Sequence, residues 1–202
     1  MASRQHEFAS VNHLLASPLR RALHAIEVLE DRLEDQRKSS TEPIAIVGLG
    51  CRFPGGANSP AAFWDLLQSG RDAISVVPSQ RWDAVAFLAA HPSTPGRIVS
   101  RHGGFLDDLE SFDPAFFGIT PREATRMDPQ HRLLLEVAWE TLDAAGQTPD
   151  RRAGRNTGVF VGITGAEYGS LQISATGTQE LDTYHLTGNA LNTAAGRLAF
   201  VF

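Results

Sequence analysis

The sequence predicts a layered α/β fold led by a separate helical segment. Three observations point to it. Short apolar runs rich in β-branched residues, Ile44-Ala45-Ile46-Val47 and Val159-Phe160-Val161, alternate with amphipathic stretches, as when strands are layered with helices. Ser, Thr or Asp stands directly before Pro at Ser17, Ser59, Thr120 and Asp128, a cap followed by a residue pre-set for the first helical turn. Leu19, Ala22, Ile26, Leu29 and Leu33 then alternate spacings of three and four, the seam of a heptad repeat.

The bulk composition suits a globular chain. There are 202 residues, enough for one domain with a core, with 42% hydrophobic and 20% charged residues. A formal net charge of −5 offers no basic face for nucleic acid. The cluster Arg151, Arg152 and Arg155, broken by Ala153 and Gly154, reads as a solvated loop. One cysteine, Cys51, excludes a disulfide scaffold and fits a cytoplasmic setting. Met1 to Ser10 carry no apolar signal core, and no apolar run has the length of a membrane span.

Residues 1–17 are polar apart from Phe8, Val11, Leu14 and Leu15. A helix is expected to start at Ser17-Pro18 and carry the Leu19–Leu33 seam, with Arg20, Arg21, Glu27, Glu30, Arg32 and Glu34 between its apolar positions. So narrow a stripe must find a partner helix, or else lie on the globular body. Gln36 to Glu42 (QRKSSTE) reads as a polar connection. That divides the chain into an N-terminal segment 1–38, a linker 39–42 and a globular part 43–202.

Ile44 to Gly48 is expected to be a buried strand. Ser59-Pro60 starts a helix through Phe63, Trp64, Leu66 and Leu67 that ends at Gly70. Residues 71–111, rich in Pro, Gly and Ser, read as irregular with a short helix near Ala84–Ala90. Thr120-Pro121-Arg122-Glu123 is a capping box. Asp128-Pro129 starts a longer helix to Ala145, closed by Gly146, whose Leu133, Leu134, Val137, Ala138 and Leu142 predict extensive burial. Thr157 to Gly162 is expected to be a second core strand, and Gly165 to Thr178 a loop. Small residues from Leu181 onward predict tightly packed helix leading to a strand at Leu198–Phe202.

Local chemistry supplies no active site. Gly48-Leu49-Gly50 follows an apolar run, but the dinucleotide fingerprint needs a third glycine where Phe53 stands. Cys51 has Arg52 beside it but no helix start, so it reads as a small buried thiol. The seven histidines lack paired ligand spacing, and His131 and His185 read as ordinary hydrogen-bonding residues on helices. Asp107, Asp108 and Glu110 read as loop anions, and Gly169-Ser170-Leu171 is no nucleophile elbow.

The run Phe112-Asp113-Pro114-Ala115-Phe116-Phe117-Gly118-Ile119-Thr120-Pro121-Arg122-Glu123-Ala124, followed by Met127-Asp128-Pro129-Gln130-His131-Arg132-Leu133-Leu134-Leu135-Glu136, resembles the ketosynthase domain of modular polyketide synthases. Glu42 to Gly48, Cys51 to Gly56, Phe63 to Leu67, Gly103 to Leu106, Trp139 to Leu142, Thr157 to Gly162, Thr187 to Asn189 and Ala195 to Leu198 stand in the same order as in that family.

The resemblance implies a thiolase-like fold, α/β/α/β/α in layers, of which this chain is most of the first half. It also implies decarboxylative Claisen condensation of an acyl thioester with a malonyl-type extender. No cofactor is bound directly; the substrates ride on phosphopantetheine-linked acyl carrier protein. The nucleophilic cysteine and the two histidines of the family lie beyond Phe202, so no catalytic residue is assigned and the segment alone is expected to be inactive. Gly162, Ile163 and Thr164 fall near the acyl pocket. Asn189, Leu191, Asn192 and Ala195 fall in a homodimer contact, to which Leu19, Ile26, Leu29 and Leu33 of the coiled coil add a second. The leading helix is similar to segments that dimerise or dock to an upstream synthase polypeptide. The alternative is a piece that only dimerises or docks and does no chemistry.

Overall fold

A computed structural model of the chain describes residues 2–89, 91, 94–147 and 156–202, with side chains from residue 18 onward except 176 and 180. The Arg151, Arg152 and Arg155 cluster lies outside the described residues. The chain divides into two compact units, Met1–Ile46 and Val47–Phe202.

The first unit is built on one helix, α1 (Ala2–Thr41), with Pro18 inside it. Two expectations are corrected. The helix does not start at Ser17-Pro18, because a missing N–H removes one hydrogen bond from a ladder that propagates on either side. Nor do Gln36–Thr41 form a linker. A Lys38–Glu34 pair at 3.1 Å bridges one turn, and the Ser40 and Thr41 hydroxyls donate to the Arg37 carbonyl at 2.9 and 3.0 Å, which satisfies the helix end. Leu19, Leu23, Ile26, Leu29 and Leu33 are all half exposed or more.

In the second unit, the helices expected at Ser59, Thr120 and Asp128 start at those caps. Ser59 Oγ accepts from the Ala62 amide at 3.2 Å to open α2 (Pro60–Gln68). Asp83 accepts from Val85 and Ala86 to open α3 (Ala84–Phe87), shorter than expected because Leu88 leaves the helix to bridge Ile98. Between α2 and α3 lies β1 (Ser75–Val76), paired antiparallel with β2 (His102–Gly103) in the register Ser75↔Gly103. The irregular 71–111 region hid this ladder in the sequence.

Thr120 opens α4 (Pro121–Arg126) and Asp128 opens α5 (Pro129–Ala144). Only half of the expected capping box forms: Thr120 Oγ1 accepts from the Glu123 N–H at 3.2 Å, while Glu123 Oε1 accepts from Arg197 Nη1 at 2.6 Å. Burial of α5 is less than expected, for only His131 and Leu135 are fully buried on it and the rest of its stripe is half-buried.

Downstream come α6 (Glu167–Thr176), a 3-10 turn (Thr178–Glu180), α7 (Thr183–Asn189) and α8 (Thr193–Val201). The expected Gly165–Thr178 loop is mostly helix. Its glycine and serines are poor helix formers, but tertiary contacts override propensity: Gly169 is buried against Asn189, whose side chain a Cβ there would meet at 3.2 Å. The expected terminal strand is also helix, since Ala194, Leu198 and Val201 share a helical face on the core.

That core is Ile119, Ala124, Met127, Leu135 and Leu198, flanked by Phe112, Phe117, Leu134, Ala138, Val159 and Phe202. It sits among α4, α5 and α8. Phe112 and Phe117 stack at 5.3 Å, and Phe116 meets Trp139 of α5 edge-on at 4.8 Å. The turn that follows Phe117 needs Gly118, whose φ is +66°.

Neither expected core strand is a strand. Residues 43–52 and 156–162 belong to no helix or strand, and among the described residues β1–β2 is the only pairing longer than an isolated bridge. A strand's hydrogen bonds come from neighbouring strands, and no described strand pairs with either run. Phe160 is accordingly 97% exposed and Ile44 95%. Gly48 and Gly50 serve packing instead: a Cβ at Gly48 would meet the Thr141 carbonyl oxygen at 2.5 Å, so only glycine allows this approach to α5.

Candidate functional site

The loop Gly162-Ile163-Thr164 joins the 156–162 segment to α6. Gly162 and Thr164 are exposed and Ile163 is half-buried. Gly165 ends the loop at φ +80°, where a Cβ would also strike the Glu167 carboxylate at 2.5 Å. The Gly165 carbonyl accepts from Gln130 Nε2 of α5 at 3.2 Å.

Gln130 is itself held. Its backbone N–H donates to Asp128 Oδ1 at 2.8 Å, the N-cap bond of α5, and its Nε2 lies 3.4 Å from Asp128 Oδ2. Asp128 is buried, and its N–H donates to the Gly188 carbonyl of α7 at 2.9 Å. One residue thus joins the start of α5 to the end of α7 and, through Gln130, to the loop.

Behind the loop, α6 and α7 close the C-terminal end of α4. The Thr125 carbonyl accepts from Tyr168 Oη and Gln172 Nε2, each at 3.2 Å. The Arg126 carbonyl accepts from Gln172 Nε2 at 3.3 Å and Asn189 Nδ2 at 3.0 Å. Carbonyls that a short helix leaves orphaned are taken up by side chains more than forty residues away. His185 Nδ1 meets Gln172 Oε1 at 2.9 Å, so His185 is the hydrogen-bonding residue that was expected.

His131 is not. It is 1% exposed, and neither ring nitrogen has a hydrogen-bond partner among the described residues. Burial pushes its pKa below the ordinary histidine value; Asp128 opposes that shift and Arg197 adds to it.

The residues assigned to a dimer contact fall in two places. Leu19, Ile26, Leu29 and Leu33 lie on α1. Asn189, Leu191, Asn192 and Ala195 lie at the α7–α8 turn, where Asn189 is buried and donates to its own chain, Leu191 and Ala195 are half-buried and Asn192 is exposed. Cys51 is half-buried rather than buried, its Sγ 3.8 Å from the Ala57 carbonyl.

Sequence reasoning missed an acid-lined cleft of about 640 Å³ between α5 and the 106–117 segment. Arg52 there forms a two-pronged ion pair with Glu140. That hydrogen bonding raises the Arg52 pKa and lowers that of Glu140, whereas burial raises that of Glu136 nearby. Pairing across 88 residues left no local sequence signal. A second, apolar cleft of about 550 Å³ lies between Phe160, Leu142, Leu198 and Phe202. No described helix is long and apolar enough to cross a membrane, and no cluster of three or more described His, Cys, Asp or Glu side chains is placed to hold a metal.

Comparison with known proteins gives consistent matches. The family described as "Beta-ketoacyl synthase, N-terminal domain" matches residues 41–202. One phenolphthiocerol/phthiocerol polyketide synthase polypeptide of Mycobacterium tuberculosis H37Rv is 51% identical over 193 residues, which is 92% of this chain and 9% of that protein. Another polypeptide of the phenolphthiocerol/phthiocerol synthase, from the same strain, is 51% identical over 165 residues, 82% of this chain and 11% of that protein. Among solved structures, the oxazolomycin ketosynthase domain of Streptomyces albus JA3453 matches at a TM-score of 0.68 with 34% identity, over 77% of this chain and 26% of that one. The ketosynthase from module 6 of the Bacillus subtilis 168 bacillaene synthase matches at 0.63 with 34% identity, over 78% and 24%. The chain therefore spans about a tenth of the relatives' length and about a quarter of the solved chains.

Proposed function

Because the chain belongs to the beta-ketoacyl synthase family, we propose that it supplies the N-terminal part of a ketosynthase domain in a modular polyketide synthase. Its fold is the thiolase-like ketosynthase fold. The complete domain accepts an acyl chain from an acyl carrier protein onto a cysteine outside these residues. It then joins that chain to a malonyl-type extender with loss of carbon dioxide. Splitting the reaction at a covalent thioester lowers the barrier, and backbone N–H groups aimed at the oxyanion lower it further. This chain's share is the acyl-facing loop Gly162-Ile163-Thr164 and, at Asn189, Leu191, Asn192 and Ala195, part of a contact between two copies. The synthase works in the cytoplasm.

The observation that carries this reading is the family match over 41–202 together with half-identity to polyketide synthase polypeptides. The test is the complete synthase polypeptide treated with an acyl thioester and analysed by intact-protein mass spectrometry. An added acyl mass that malonyl-loaded carrier protein removes is expected. A complete enzyme that never acquires the acyl group overturns the reading.

A second role rests on a separate observation. The exposed seam Leu19, Ile26, Leu29 and Leu33 on α1 supports pairing with a second copy as a coiled coil, or docking to an upstream synthase polypeptide. Sedimentation of residues 1–46 at micromolar concentration distinguishes a dimer from a monomer, and a monomer of low helicity defeats self-pairing.

A further inference from the structure

We propose that Gln130 is a positioning residue, whose side-chain amide fixes the loop that faces the acyl chain. The inference rests on the reading of Gly162-Ile163-Thr164 as that loop.

The geometry is specific to a donor. Around Gln130 Nε2 stand two acceptors, the Gly165 carbonyl oxygen at 3.2 Å and the Asp128 Oδ2 at 3.4 Å. An amide NH2 has two hydrogens for two such acceptors, and an oxygen in its place would face two others. The anchor point is also stiff. Asp128 is buried and tied to α7 through Gly188, and Gln130 itself belongs to the first turn of α5. On the loop side, Gly165 is the residue at positive φ where the chain turns into α6, so fixing its carbonyl fixes the direction in which Thr164 and Ile163 leave it. Gln130 thus links the loop's end to the buried start of α5. Correct placement of a binding loop is worth a substantial factor in substrate use, because small displacements lose productive contacts.

The test separates hydrogen-bond donation from shape. The complete synthase is assayed with N-acetylcysteamine acyl thioesters of increasing chain length, reading KM and kcat for acylation. Gln130→Glu keeps the shape and loses the donor; Gln130→Lys changes the shape and keeps a donor; Gln130→Ala loses both. The expected result is a KM raised roughly five- to tenfold in the Glu and Ala variants with kcat retained, and a Lys variant within about twofold of the parent. If the Glu variant does not fold, the Lys-against-Ala comparison decides in the same way. A Glu variant equal to the parent, a Lys variant as impaired as Ala, or losses confined to kcat overturn the inference. Ile163→Trp serves as the control for the underlying reading. If it alters chain-length preference while the Gln130 variants change nothing, only the role of Gln130 falls. If it leaves chain-length preference untouched, the assignment of the loop falls and the role of Gln130 with it.

Discussion

Two regions of the second unit answer the same question in opposite ways. At the junction of α4, α5, α7 and α8, Met127 and Leu135 are fully buried, and the Thr125 and Arg126 carbonyls at the end of α4 accept hydrogen bonds from side chains. Along 156–162, the apolar run Val159-Phe160-Val161 joins no described ladder, and Phe160 is 97% exposed. The difference lies in where each kind of element finds its hydrogen bonds. A helix closes its own, so it is complete once one face is covered. A strand borrows them from neighbours, so it is complete only when those neighbours are present. Among the described residues the helical junction is complete, while the strand-like runs have no paired neighbour.

The largest effect should come from cutting into the junction. Leu135→Ala is expected to cost about 2–5 kcal/mol in denaturant unfolding of the 202-residue chain, whereas Phe160→Ser should stay within about 0.5 kcal/mol. Comparable costs at the two sites would break the contrast. Next comes Asn189→Leu, which removes the donor to the Arg126 and His185 carbonyls while Gln172 still donates to Arg126; a loss of about 0.5–1.5 kcal/mol is expected.

His131 sharpens the contrast through pH. Its folded pKa lies below the ordinary value of 6.5, so the unfolded chain binds the proton more readily. Its contribution to stability is complete above about pH 6.5 and falls as pH drops below that toward the folded value, by up to about 1.4 kcal/mol per pH unit. Unfolding curves of His131→Gln should lose that acid-side slope. A slope identical to the parent's would show that other groups cause it.

The smallest effect concerns α1. With Leu19 at an a position, Arg32 and Arg37 take g and e positions that meet in a parallel pair of helices. Arg37→Glu should then tighten self-association of residues 1–46 by only about 0.3–1 kcal/mol. Weakening would argue for an antiparallel or heterotypic pairing.

What could be read in advance follows the same division. Ser59, Thr120 and Asp128 mark helix starts because capping is chemistry within three residues. The runs at 44–48 and 157–162 read as strands because their side chains suit a sheet, but composition does not say whether a neighbouring strand is at hand. α6 was hidden because its glycine and serines are poor helix formers; Gly169 against Asn189, and Tyr168 and Gln172 on the Thr125 carbonyl, hold it instead. The long α1 was misjudged at both ends, since a single Pro18 and a polar tail weigh less than helix propagation. At the candidate site, the loop 162–164 could be named only through family resemblance. Gln130 could not be named at all, because its contact with Gly165 spans 35 residues and leaves no local pattern.

Hydrogen–deuterium exchange, resolved to individual segments, tests the central claim most directly. In the 202-residue chain the amides of α5 should exchange slowly and those of Val159, Phe160 and Val161 at nearly the rate of open chain; in the complete synthase both should be slow. Slow exchange at 159–161 in the short chain, or fast exchange there in both proteins, would contradict the account.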